Sequence, residues 1–174
     1  MLSTHEILAG KQREESRAAA LRSLGATAAL VQDELMERAV APFASKQGSE
    51  HYAKVPTLAQ LTTRFADVAT ASRTAALVPP GSGLWGQALA FVANSLTLTS
   101  AEVGQTPASQ VISRAEAELQ AGSLVRAVEA VRTLRGHPAA AAKGWLRVAE
   151  ERLLLQQALS VANAEAAIAS AALN

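Results

Sequence analysis

The chain has 174 residues, 40 of them alanine and only 3% aromatic, a balance that favours helix and all but excludes a sheet protein. Sixteen Lys and Arg against fifteen Asp and Glu leave a net charge of +1 with no basic half, so no field that would attract nucleic acid is expected. The absence of cysteine excludes disulfides, thiol catalysis and cysteine-ligated zinc.

Met1 to Glu6 shows no basic stretch leading into an apolar one, so no signal peptide is expected. Lys11 to Val40 reads as helix, interrupted at Gly25 and stopped by Pro42, because the residue before a proline is pushed out of the α region. The polar run from Ala44 to Val55 has the composition of a connecting loop. Pro56 and Thr57 open the next helix, with Thr57 as N-cap. Its apolar positions Leu58, Leu61, Phe65, Val68, Ala69 and Ala76 share one face, flanked by Arg64 on one side and Arg73 on the other.

Pro79 to Gly83 forces a turn, and Leu84 to Leu98 follows with Trp85 and Phe91 in a stretch that has no charge between Arg73 and Glu102. Fifteen residues fall short of the roughly 20 that a membrane span requires, so this is a core helix or an interfacial one. Three helical segments complete the chain. Ser109 to Ala121 ends at Gly122; Leu124 to Arg135 starts after the N-cap candidate Ser123 and ends at Gly136; the last runs from Pro138 to Ala172 unless Gly144 or Asn163 bends it. The expected architecture is all-α, a helical bundle of about six helices with the C-terminal three packed together.

The histidines His5, His51 and His137 are scattered, no phosphate-binding loop or nucleophile elbow is present, and Glu150 and Glu151 are adjacent and so do not face each other on a helix. No catalytic residue, metal ligand or cofactor is expected. Pro56 to Leu98 has two readings. As an interfacial element, Leu61, Phe65, Val68 and Trp85 meet the acyl boundary of an anionic lipid membrane while Arg64 and Arg73 meet phosphates. As part of a bundle, the same residues pack inside it. Trp145 and Leu146 are likewise a partner-binding surface or a packing anchor. Self-association as a dimer, through Leu84 to Leu98 or the preceding helix, would cover an exposed uncharged surface.

The runs ISRAEAELQAGSL, AVRTLRG and KGWLRVAEERLLLQQAL within Val111 to Leu159 resemble the C-terminal signature of the mitofilin family, the large inner-membrane subunit of the mitochondrial contact site and cristae organising system. A second block, from Thr57-Leu58 through Arg64-Phe65 to AALVPPGSG and SLTL, is similar to that family's lipid-binding segment. The resemblance implies a division into a lipid-binding segment, residues 1–101, and a C-terminal mitofilin-type bundle, residues 102–174. It implies a non-enzymatic module that binds and bends membranes, lipid contact by Arg64 and Phe65, and association with a CHCH-domain subunit of the same complex. The expected location is the intermembrane-space side of the mitochondrial inner membrane, or an intracytoplasmic membrane in a bacterium. The competing reading is a soluble helical adaptor that binds only protein. Ser123 departs from the family, which usually has an acidic residue there.

Overall fold

The computed structural model describes residues 4–31, 34–77 and 106–172. They form seven helices and no strand: α1 Thr4–Val31, α2 Glu34–Ala44, α3 Lys46–Ala53, α4 Leu58–Ala76, α5 Pro107–Gln120, α6 Leu124–Arg132 and α7 Gly136–Ala172. The all-α expectation is met. None of these helices is long and apolar enough to cross a membrane. The expected helix Leu84 to Leu98, with Trp85, lies outside the described residues.

The chain divides into two compact units, the first comprising residues 1–55 and 151–174 and the second residues 56–150. In the first unit, α1 packs on α2 and α3. Leu21, Met36, Val40 and Phe43 bury themselves with Leu155, Ala158 and Ala162 of α7, and Leu24 and Tyr52 pack against that cluster.

Three sequence expectations in this unit are corrected by packing. Gly25 does not interrupt α1. It is buried within the helix, and a Cβ there would lie 2.9 Å from the Ala44 Cα, so the missing side chain lets α2 approach the backbone of α1. Pro42 does not stop α2, which continues to Ala44. Val40 and Phe43, 1% and 0% exposed, flank the proline, and their burial holds the last turn helical against its local preference. The stretch expected as a loop contains α3. Ser45 caps it by accepting from the Gly48 N–H at 2.9 Å, and Ser49 and Ala53, one turn apart, are the buried positions of a helix too polar to announce itself.

The second unit begins with the expected cap. Thr57 Oγ1 accepts from the Gln60 N–H at 3.3 Å, and Gln60 Oε1 accepts from the Thr57 N–H at 3.0 Å, a complete capping box. Helix α5 is capped by Thr106, whose Oγ1 accepts from the Ser109 N–H at 3.1 Å, with Pro107 in its first turn. It ends in a Schellman motif: Gly122 adopts φ +81°, Ser123 N–H donates to the Glu118 carbonyl at 2.8 Å and Gly122 N–H to that of Leu119 at 3.0 Å.

Ser123 does not cap α6 with its side chain, because its backbone, at φ −94° and ψ 84°, is committed to that motif. Its hydroxyl accepts from Arg126 Nε instead, at 3.2 Å. Helix α6 ends at Arg132, three residues before the expected end, and Arg135 turns back to donate to the Arg132 and Leu134 carbonyls at 3.0 Å each. Gly136, at φ +63°, then starts α7, which runs through Gly144 and Asn163 as one helix.

Candidate functional site

The residues singled out by the sequence converge on α4 and the first part of α7, both in the second unit. Helix α4 buries Leu61, Phe65, Ala69 and Ser72, at spacings of four, four and three, which places them on one face. Trp145 lies against that face. Its ring and that of Phe65 have centroids 4.7 Å apart and are tilted by 59°. Its indole Nε1–H donates to the Leu61 carbonyl at 3.0 Å. Two turns beyond Phe65, the Ser72 hydroxyl donates to the Pro138 carbonyl at 3.4 Å in a buried contact. Thus two polar bonds and one aromatic pair tie α7 to α4.

Leu61 is 1% exposed, Phe65 2% and Trp145 6%, so these three form part of the core of the second unit. Of the two readings open for each of them, inward packing is how the fold uses these side chains. Val68 and Leu146 are half-buried. Arg73 sits at the edge of the buried face, where it is bound to α5: Nη1 and Nη2 donate to Glu116 at 3.1 and 2.5 Å, and Nη2 also donates to Ser113 Oγ at 3.2 Å. Arg64 is exposed on the flank of α4 away from Arg73, and Ala59, Thr63, Asp67 and Thr70 are exposed on the side opposite the buried face.

The Arg73 fork is bidentate, and the paired side chains retain only 26% and 33% of their exposure. Both features strengthen a charge-assisted pair. Arg73→Ala is therefore expected to destabilise the protein by about 1–2 kcal/mol, read as a shift of the urea midpoint at unchanged slope.

Where α4 ends and α5 and α7 begin, the second unit has a cleft of about 600 Å³, lined among others by Ala76, Val111, Leu134, Arg135 and His137. The arginine is occupied in holding the end of α6, as above. No group of three or more His, Asp or Glu side chains suited to a metal gathers among the described residues.

In the first unit, His51 and Glu151 approach to 3.4 Å, with Tyr52 edge-on to both His51 and Phe43. Burial, and then the negative charge of Glu151, raise the pKa of the Tyr52 hydroxyl, so the phenol stays neutral. The sequence reading missed this cluster because it lies on α3, which composition alone presented as a loop.

Residues 19–167 match the family model Mitofilin, described as a mitochondrial inner membrane protein. The chain belongs to the mitofilin family. It is 31% identical over 151 residues to a protein named MICOS complex subunit MIC60 in Paracoccidioides brasiliensis, an alignment covering 84% of this chain and 21% of that protein. It is 30% identical over 131 residues to the protein of that name in Neurospora crassa, covering 75% of the chain and 20% of the relative, and 30% over 135 residues to that in Lodderomyces elongisporus, covering 76% and 23%. The chain therefore spans about a fifth of the length of these relatives. No solved structure matches.

The mitochondrial inner membrane expected from the sequence agrees with the family description. The matched region takes in α2 to α6 entire and nearly all of α7, so the Phe65–Trp145 contact and the Arg73–Glu116 pair lie inside the family's domain.

Proposed function

We propose that this chain is a non-enzymatic scaffold module of an inner-membrane, cristae-organising protein, one that touches anionic lipid peripherally, self-associates as a dimer and joins other subunits of its complex, among them one with a CHCH domain. The observation that carries this reading is the family match over residues 19–167, because it covers the packed body of both units and not one short motif. The names of the relatives support a place in a multi-subunit complex.

The geometry of α4 supports a division of labour within the lipid contact. Leu61 and Phe65 hold the helix in the second unit, and the exposed Arg64 on its flank offers its guanidinium to a phosphate. The second unit carries eight Lys and Arg against six Asp and Glu, a small excess of the sign that an anionic surface attracts. Val68 supplies a half-exposed apolar contact, Leu146 a half-exposed contact for protein, and Trp85 a further lipid contact from the segment after α4.

Co-sedimentation with vesicles tests the reading. The chain should pellet with anionic vesicles and not with neutral ones, and added salt should weaken the interaction. A basic residue near an anionic surface contributes about 1 kcal/mol, so Arg64→Asp, which removes one positive charge and adds one negative, should weaken binding by about 2 kcal/mol, roughly thirtyfold. Because Arg64 is exposed, its replacement should leave stability within about 0.5 kcal/mol of the parent. Equal binding of the parent and Arg64→Asp would remove α4 from the membrane contact. Absence of any vesicle binding would favour the soluble adaptor. Sedimentation equilibrium checks the dimer, and a monomer at high concentration would contradict it.

A further inference from the structure

We propose that the cleft of the second unit, where α4 ends and α5 and α7 begin, binds a fatty acid, with the acyl chain on its apolar wall and the carboxylate on Arg135. The membrane reading above concerns a lipid surface met by Arg64 on the flank of α4. This site takes one lipid molecule and stands independently of that reading.

The cleft itself is the first observation. At about 600 Å³ it falls within the roughly 300–1,000 Å³ of sites that enclose a small molecule. Ala75, Ala76, Pro107, Ala108, Val111 and Pro138 give it a largely apolar wall, and its lining residues all belong to the second unit. Apolar surface of this kind is unfavourable in water, and a hydrocarbon chain laid against it removes both surfaces from water together.

Charge is the second observation. The polar side chains among the lining residues are Thr106, Thr133, Arg135 and His137, with no Asp or Glu among them. Both threonines are committed to the backbone: Thr106 Oγ1 accepts from the Ser109 N–H at 3.1 Å, and the Thr133 hydroxyl donates to the Ala130 carbonyl at 2.7 Å. Arg135 is different. Its bonds to the Arg132 and Leu134 carbonyls both leave from Nη1, which fixes the guanidinium while Nη2 and Nε stay available to donate. It joins no ion pair among the described residues, so its charge has no carboxylate to answer it. His137 is exposed and adds an imidazole N–H, a donor in either protonation state.

An occupant that suits this cleft has an apolar body and one anionic end. A guanidinium matches a carboxylate in charge and in the geometry of its donors, whereas a cationic head would be repelled and an uncharged one would leave Arg135 unanswered. A fatty acid is the simplest molecule with both parts.

Isothermal titration calorimetry with laurate, kept below its micelle-forming concentration, tests the site without any vesicle. The parent should bind laurate saturably, one molecule per chain. Dodecyltrimethylammonium, which has the same kind of chain under a positive head, should bind at least about tenfold more weakly, and acetate should give no measurable heat. Arg135→Gln keeps an N–H donor for the two carbonyls but loses the charge, and should weaken laurate binding roughly tenfold. Ala108→Trp should fill the cleft and abolish binding, and Val111→Phe gives the same reading from a second position. Urea midpoints identify the variants that are folded under the assay conditions.

Absence of saturable laurate binding by the parent overturns the proposal and leaves the cleft to another occupant, such as a second copy or a protein partner. Equal binding of the two head groups overturns it as well, and this comparison needs the parent alone. So does laurate binding that is unchanged in the folded cleft-filling variants, since the acid then sits elsewhere.

Discussion

Trp145→Ala is expected to destabilise the protein by about 3–5 kcal/mol, the range for removing a buried large aromatic side chain. The indole is 6% exposed, packs on the Phe65 ring at 4.7 Å between centroids and donates to the Leu61 carbonyl at 3.0 Å. Its loss opens a cavity on the buried face of α4. The Leu61 carbonyl itself is not orphaned, because within the helix it also accepts from the N–H four residues on, at Phe65. Trp145→Phe, which loses the bond but keeps most of the aromatic volume, should therefore cost only about 1–2 kcal/mol.

Phe65→Ala should cost about 3–5 kcal/mol as well, and the two alanine substitutions should fall short of additivity by about 0.5–1.5 kcal/mol, the worth of an aromatic pair beyond its area. Chemical denaturation of the four proteins in this cycle measures all these quantities. Strict additivity would show that the two rings do not support each other. The cycle also bears on the membrane reading, because vesicle binding by Phe65 variants has meaning only under conditions where they remain folded.

Gly48→Ala should also be strongly destabilising, with the opposite sign to what helix propensity predicts. In an open helix the change from Gly to Ala stabilises by about 1 kcal/mol. Here a Cβ on Gly48 would lie 2.1 Å from the Pro42 carbonyl oxygen, a backbone atom that cannot rotate aside. The junction of α2 and α3 must shift, and overpacking of this kind costs about 1–3 kcal/mol or more. Gly25→Ala meets the Ala44 Cα at 2.9 Å and should be destabilising by a comparable mechanism. Gly144 has nothing within 4 Å of an added Cβ, so Gly144→Ala should instead stabilise α7 by about 1 kcal/mol. Thermal melts of the three variants give the three signs directly, and a stabilised Gly48→Ala would contradict the close approach of α3 to α2.

The contrast between those glycines marks where local chemistry stopped being sufficient. The helical class, the Thr57 cap, the Gly122 and Gly136 turns and the place of Pro138 in the first turn of α7 were legible in the chain, because propensity, capping and positive φ depend on residues a few positions apart. The family was legible too, from short blocks that fall within the matched region. Gly25 and Pro42, by contrast, carry the same local signals as helix breakers anywhere. They sit inside helices here because α1 and α2 approach each other closely and because Val40 and Phe43 are buried.

Periodicity likewise identified the apolar face of α4, but one amphipathic stripe fits a membrane and a core equally well. The direction in which Leu61 and Phe65 point depended on a side chain far along the chain, Trp145, whose ring occupies that face. The partner of Arg73 was hidden for the same reason: Glu116 lies 43 positions away. Contacts between residues distant in sequence are set by how helices pack, and a one-dimensional pattern records which face is apolar without recording what covers it.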